Sequence, residues 1–308
     1  METASKTTKN QLLELELSEL LLRANRIRQQ FIADRVELCS ITNAKSGLCN
    51  EDCKFCAQVS RYKAAKQTYP LKSVKEIVAA AKTAKCAGAG RFGIVTSGNR
   101  LNAKELGDIA AAISKIKNEV NIIVCASLGA LNENELKKLK DAGLSRYHHN
   151  IETSERFYPN IVSTHSFKER IDTIRAAKQA GLEVCSGGII GMGESWQDRI
   201  DMARTLKKLN VDSVPLNLLV PIKGTPLEFI EPISCKDAIR AIAIFRIILK
   251  DKTLKIAAGR ESVLKDFQTL GFLAGANGMI IGGYLTVKGN PLQDDYKLIE
   301  QVKSLWSK

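Results

Sequence analysis

A (β/α)8 barrel of the TIM type, preceded by an N-terminal helical extension, is the fold class that the sequence predicts, and three observations predict it. A Ser or Asn followed three residues later by an acidic residue recurs at Ser73 with Glu76, Asn102 with Glu105, Asn132 with Glu135, Ser166 with Glu169 and Ser195 with Asp198, each heading an amphipathic run. Gly88, Gly143 and Gly181 close helical runs that contain alanine. Eight short β-rich segments alternate with the runs. Eight strands alternating with helices pair in parallel through right-handed crossovers, and a closed barrel is the simplest arrangement of them.

Taken in order, residues 1–35 form the helical extension and residues 36–308 the barrel with a C-terminal tail. The first strand is Val36–Ile41, where alternation puts Glu37, Cys39 and Ile41 on one face. Arg91–Thr96, Asn121–Ser127, Arg146–Ile151, Leu182–Gly187, Ser213–Leu218, Leu254–Ala258 and Gly278–Gly282 follow. The Ser–Glu pairs fit a capping box, in which each side chain satisfies an otherwise orphaned backbone N–H; the Asn and Asp variants fit it more loosely. The glycines suit a left-handed residue closing a helix. An open doubly wound sheet is the competing arrangement. It is disfavoured because Thr42 to Cys49, after the first strand, matches neither a dinucleotide fingerprint nor a P-loop.

With 308 residues, 44% of them hydrophobic and 26% charged, the chain has the composition of a globular protein with a large core. Met1 to Asn10 is polar and lacks the apolar segment of a secretory signal, and no stretch approaches the roughly 20 apolar residues that span a bilayer. A cytoplasmic protein without membrane attachment is expected. The net charge of +13 is spread along helices rather than gathered in a block, so nucleic acid is not an expected partner. In a reducing compartment, eight cysteines direct attention to metal binding or catalysis rather than to disulfides.

Cys49, Cys53 and Cys56 form C-x3-C-x2-C in the loop after the first strand, at the end of a barrel where active sites stand. Three thiolates leave one metal position open, whereas structural zinc sites and electron-transfer clusters usually close with four ligands. A zinc knuckle completed by His148, His149 or His165 is the alternative, and none of these sits at a usual zinc-pair spacing with the cysteines. Cys86 and Cys235 carry no companion motif and are read as structural.

With Phe55 before its last cysteine, this motif resembles the signature of the radical S-adenosylmethionine superfamily. The resemblance implies that Cys49, Cys53 and Cys56 hold a [4Fe–4S] cluster whose open iron chelates S-adenosylmethionine, with Phe55 beside it. Electron transfer then yields a 5′-deoxyadenosyl radical. From about Val36 to Pro291 the chain is similar to the biotin synthase family in longer strings: Cys49-Asn50-Glu51-Asp52-Cys53-Lys54-Phe55-Cys56, His149-Asn150-Ile151-Glu152-Thr153-Ser154, Cys185-Ser186-Gly187-Gly188-Ile189, Val214-Pro215-Leu216-Asn217 and Ala258-Gly259-Arg260-Glu261. By this resemblance Asn150 lies near cofactor and substrate, Glu152 binds the ribose hydroxyls, Arg170 pairs with the cofactor carboxylate, and Asn217 meets the ureido ring of dethiobiotin. A surface ion pair is the plainer reading of Glu152 and Arg170.

The family also implies an auxiliary [2Fe–2S] cluster that donates sulfur, held by three strand cysteines and an arginine. Cys125, Cys185 and Arg260 are read as three of those ligands, and Gly93 stands where the remaining cysteine is expected. Cys39 is the candidate replacement, so that Cys39, Cys125 and Cys185 hold the cluster with Arg260 nearby and a four-iron cluster is as admissible as a two-iron one. Its plainer reading is a small buried hydrophobe. His148 departs from a substrate-holding asparagine of the family. The family further implies a flavodoxin or ferredoxin-type electron donor and a homodimer. Hydrogenase-maturation and methylornithine-forming relatives share the first cluster; Cys125, Cys185 and Arg260 on separate strands favour sulfur insertion.

Overall fold

The computed structural model describes residues 8–285 and 289–307. Nine strands, β1 (Glu37–Lys45), β2 (Arg91–Thr96), β3 (Ile123–Ser127), β4 (Arg146–His148), β5 (Glu183–Cys185), β6 (Gly188–Ile190), β7 (Ser213–Leu218), β8 (Thr253–Ile256) and β9 (Gly278–Ile280), form one all-parallel sheet. It closes through Cys185 opposite Ser213, which gives an eight-stave barrel because β5 and β6 are two halves of one stave. The break falls where the register sets Gly187 opposite Pro215. Proline has no N–H for the ladder, and a Cβ on Gly187 would lie 1.9 Å from the Pro215 carbonyl oxygen, so only glycine fits there.

Helices α1 (Thr8–Glu14) and α2 (Leu17–Phe31) precede the barrel, and α3 (Val74–Cys86), α4 (Ala103–Glu119), α5 (Glu133–Asp141), α6 (Phe167–Gln179), α7 (Trp196–Lys208) and α8 (Cys235–Leu249) surround it. Short helices α9 (Arg260–Val263) and α10 (Gln268–Leu273) follow β8, and α11 (Leu292–Trp306) ends the chain. All five expected helix starts carry complete capping boxes, including the Asn and Asp variants. Gly88, Gly143 and Gly181 all adopt positive φ at helix ends.

Helix α4 shows how the outer layer is held: Leu106, Ile109, Ala112, Ile113 and Ile116 recur at helical spacing and are buried against the sheet. Helix α8 is apolar on nearly every side because it lies between the barrel and α2. The extension is tied to the C-terminal helix by Arg28, whose guanidinium lies 3.8 Å from the Trp306 ring centre.

The eight expected strands coincide with the eight staves, with shifted ends. β1 continues to Lys45 rather than stopping at Ile41, and β4 stops at His148 rather than Ile151. Beyond His148 the chain meets the sheet again only through an isolated bridge between Glu152, which adopts φ 65°, and Gly188.

Candidate active site

β1 delivers the cysteine loop to the C-terminal rim of the barrel. Cys49 N–H donates to Gln58 O at 3.3 Å and Ser60 N–H to Cys49 O at 2.8 Å, closing the loop at its base, while Cys56 N–H reaches Cys53 O at 3.0 Å in a tight turn. Inside it, Gln58 Oε1 accepts from Gly47 N–H at 2.8 Å and from Ser46 Oγ–H at 3.1 Å. Asp52 accepts from Ser163 N–H at 2.9 Å and Thr164 N–H at 3.2 Å, which fastens the loop to the segment before α6.

Cys49 and Cys53 are buried and Cys56 half-buried. Burial, then repulsion from Cys56, pushes the Cys53 thiol upward, and burial pushes Cys56 up to about 11 with Cys49 adding to it. Thiols that oppose one another's ionisation in a buried loop suit a cationic group that takes up their charge. Among the described residues no three His, Cys, Asp or Glu side chains gather as the shell of a single metal ion. A four-iron cluster spreads its cysteines over several metal atoms.

Beside the loop, Asn150 Oδ1 accepts from Gly187 N–H at 3.0 Å and its Nδ2 donates to Glu152 Oε2 at 3.3 Å. Glu152 is buried; burial raises its pKa against the opposing charge of Arg170. A Cβ on Gly188 would lie 2.2 Å from the Glu152 carbonyl oxygen, so glycine at this position is what lets Glu152 approach the split stave. Arg170 is hydrogen-bonded to Tyr158 and His165 and feels Glu152 and Cys53 nearby. Glu152 and Arg170 are therefore parts of one buried cluster and not a surface ion pair.

A cavity of about 370 Å³ runs from this rim into the barrel. Phe55, Cys56, Asn150 and Glu152 line it at the rim, and Cys39, Cys125, Cys185, His148, Asn217 and Lys255 line it within. Asn217 Nδ2 donates to Gly188 O at 3.2 Å and its Oδ1 accepts from Ala258 N–H at 3.2 Å. Each end of that amide keeps one further hydrogen-bonding capacity for a ligand.

The three strand cysteines line one cavity. Cys39 feels Cys185, and burial followed by Cys39 pushes Cys125 up to about 12. Burial opposes ionisation of Cys185, yet Lys255, His148 and Arg146 together bring that thiol down to about 6. Below them Glu37 accepts from Lys255 Nζ at 2.7 Å, Arg146 Nη1 at 2.7 Å and Arg91 Nε at 2.8 Å. Arg91 Nη1 is buried with no hydrogen-bond partner among the described residues.

Arg260 is a correction. It starts α9, is not among the cavity-lining residues, and pairs with Asp295 Oδ1 at 2.6 Å and Glu261 Oε1 at 3.1 Å. It lies beyond the end of β8 and serves the packing of α11. The cation that β8 sends inward is Lys255, 4% exposed. Gly93 has its own reason: a Cβ there would meet Ile41 Cγ2 at 3.1 Å, so the Ile41 side chain fills the space that a larger residue on β2 would need.

Two family models match the sequence: the Radical SAM superfamily over residues 45–206 and the Biotin and Thiamin Synthesis associated domain over residues 215–303. A biotin synthase of Thermotoga petrophila is 52% identical over 296 residues, covering 96% of this chain and 98% of its own length. The chain belongs to the biotin synthase family. A second biotin synthase, from Thermotoga neapolitana, is 56% identical over 88% of this chain and 97% of its own length. Among solved structures, a methylornithine synthase superposes with a TM-score of 0.81 at 22% identity, covering 98% of this chain and 93% of its own. The [FeFe]-hydrogenase maturase HydG superposes at 0.79 and 16% identity, covering 94% of this chain and 69% of its own. These likenesses carry the barrel fold, and membership in the radical SAM superfamily carries with it a [4Fe–4S] cluster and S-adenosylmethionine.

Sequence reasoning missed the charged floor of Glu37, Arg91, Arg146 and Lys255. For three of them the signal was present: Glu37, Arg91 and Lys255 are charged residues within strand segments of mostly apolar neighbours, which in a barrel marks an inward position, whereas Arg146 sits among polar ones.

Proposed function

We propose that this chain forms biotin by inserting sulfur into dethiobiotin, with Cys49, Cys53 and Cys56 holding the [4Fe–4S] cluster that binds S-adenosylmethionine and Cys39, Cys125 and Cys185 holding an auxiliary cluster deeper in the same cavity. The observation that carries the reading is one cavity lined at its rim by Cys56 of the cysteine loop and deeper in the barrel by Cys39, Cys125 and Cys185 of the strands. The donor chemistry fits: three thiols above a floor where Lys255, Arg146 and Arg91 surround Glu37 suit an anionic iron–sulfur group.

When bound, the cofactors supply the hydrogen-abstracting radical at the rim and sulfur from below. The residues do the rest. Glu152 can accept both hydrogens of a ribose diol, and Arg170 can pair with a carboxylate. Asn150 and Asn217, each fixed by backbone partners, hold a cyclic urea between the two cluster positions. Phe55 shields the rim from water. Lys255 takes the place that the sequence reading gave to Arg260.

The same reading takes residues 1–35 as an extension and 36–308 as a single barrel with its C-terminal helix, a homodimer in the cytoplasm, supplied with electrons by a flavodoxin or ferredoxin-type carrier. Support for the last three is family membership. Among the described residues no helix is long and apolar enough to cross a membrane.

The test is anaerobic reconstitution with iron and sulfide, then incubation with S-adenosylmethionine, a reductant and dethiobiotin, with products followed by mass spectrometry. Biotin appearing with 5′-deoxyadenosine is the expected result. Deoxyadenosine without biotin contradicts the substrate assignment.

A further inference from the structure

One buried chain of contacts joins the cysteine loop to Arg170 through a residue with no role so far. His165 Nδ1 lies 2.7 Å from Glu51 Oε2, and Glu51 stands between Cys49 and Cys53. On its other edge, His165 Nε2 lies 2.7 Å from Arg170 Nη2. His165 is 6% exposed, and Tyr158, which accepts from Arg170 Nε at 3.1 Å, packs edge-on against its ring.

The proton arrangement follows from donor and acceptor accounting. A guanidinium has only N–H donors, so Arg170 must donate and His165 Nε2 must accept. The ring proton then sits on Nδ1 and is donated to the Glu51 carboxylate. That tautomer is the neutral imidazole, in keeping with burial and the Arg170 charge lowering the His165 pKa.

We infer that His165 is a positioning residue for S-adenosylmethionine binding: it sets the distance and orientation of Arg170 relative to the cysteine loop. The inference rests on the proposed reading of Arg170 as partner of the cofactor carboxylate. On that reading loop and arginine grip the same amino-acid end of one molecule, so a rigid link between them orders the site before the cofactor arrives, and pre-ordering strengthens binding. Thr164 reinforces the link, since its hydroxyl donates to the Glu51 carboxylate and accepts from Asp52 N–H at 3.2 Å.

His165→Ala, His165→Gln and Arg170→Met are compared with the unaltered reconstituted enzyme. Binding of S-adenosylmethionine is measured by equilibrium dialysis, alongside loop-cluster iron and sulfide content and the change in the reduced cluster's EPR spectrum on cofactor addition. His165→Ala is expected to weaken cofactor binding about tenfold or more and to diminish the EPR change, with iron content and the KM for dethiobiotin unaltered. His165→Gln, whose amide oxygen can accept from Arg170, is expected to restore most of the affinity. Unchanged affinity and EPR response in His165→Ala, with Arg170→Met weakened, overturns the role of His165 alone. Unchanged affinity in Arg170→Met overturns the reading of Arg170 beneath it. Equal loss of loop iron in both His165 variants also overturns the inference, because His165 would then merely hold the loop.

Discussion

Lys255 Nζ stands 3.0 Å from Cys39 Sγ and 2.7 Å from Glu37 Oε1, although β8 and β1 are separated by β9. The residue between them in the register is Gly278, where a Cβ would lie 2.8 Å from Glu37 O and 2.9 Å from Lys255 Cγ. Glycine at that point lets the lysine side chain cross a neighbouring strand and place an ammonium beside a strand cysteine. An ion pair this deep needs all its partners, since removing one leaves an uncompensated charge.

Replacing Lys255 with Met keeps the bulk and removes the donor. Groups that orient a metal ligand from behind typically account for 10–100-fold in metal affinity. Lys255→Met is therefore expected to retain the loop cluster and deoxyadenosine formation while auxiliary iron and biotin yield fall. Iron and sulfide analysis together with product ratios checks this, and undiminished biotin per deoxyadenosine counts against it.

Position 93 gives a packing test. Gly93→Cys forces a Cβ against Ile41 Cγ2, and overpacking of this kind costs about 1–3 kcal/mol. Chemical denaturation is expected to show that loss, and a smaller loss when Gly93→Cys is made on an Ile41→Ala background, which lacks the clashing Cγ2. Additivity of the two substitutions would show that they do not share the space.

Two glycines are expected to respond in opposite directions. Gly107 lies exposed within α4 with nothing inside 4 Å of a Cβ, so Gly107→Ala should stabilise the protein by about 0.5–1 kcal/mol. Gly188→Ala drives a methyl group into the Glu152 carbonyl and should destabilise it while weakening S-adenosylmethionine binding. Thermal unfolding and equilibrium dialysis read both.

What was legible in the sequence divides by the range of the interactions. Helix starts could be read because Ser73 and Glu76, or Asn132 and Glu135, satisfy each other within one turn. The eight staves could be read because each segment is locally β-rich, while their ends could not: Glu152 meets the sheet through a bridge to Gly188, far along the chain. In the site, the rim cysteines were plain from their spacing. The floor was not, because Glu37, Arg91, Arg146 and Lys255 come from four strands and meet only when the barrel closes. Arg260 was misplaced for a related reason: the cavity-facing cation is Lys255 within β8, and Arg260, five residues later, lies past the strand's end at the start of α9.

The most direct test of two clusters in one barrel is Mössbauer spectroscopy of the protein reconstituted with 57Fe after Cys49, Cys53 and Cys56 are all changed to Ala. The account predicts that cluster iron remains in this variant, held by Cys39, Cys125 and Cys185, and that adding Cys39→Ala removes it. A loop-cysteine variant with no cluster iron, or one whose iron is indifferent to Cys39, would contradict it.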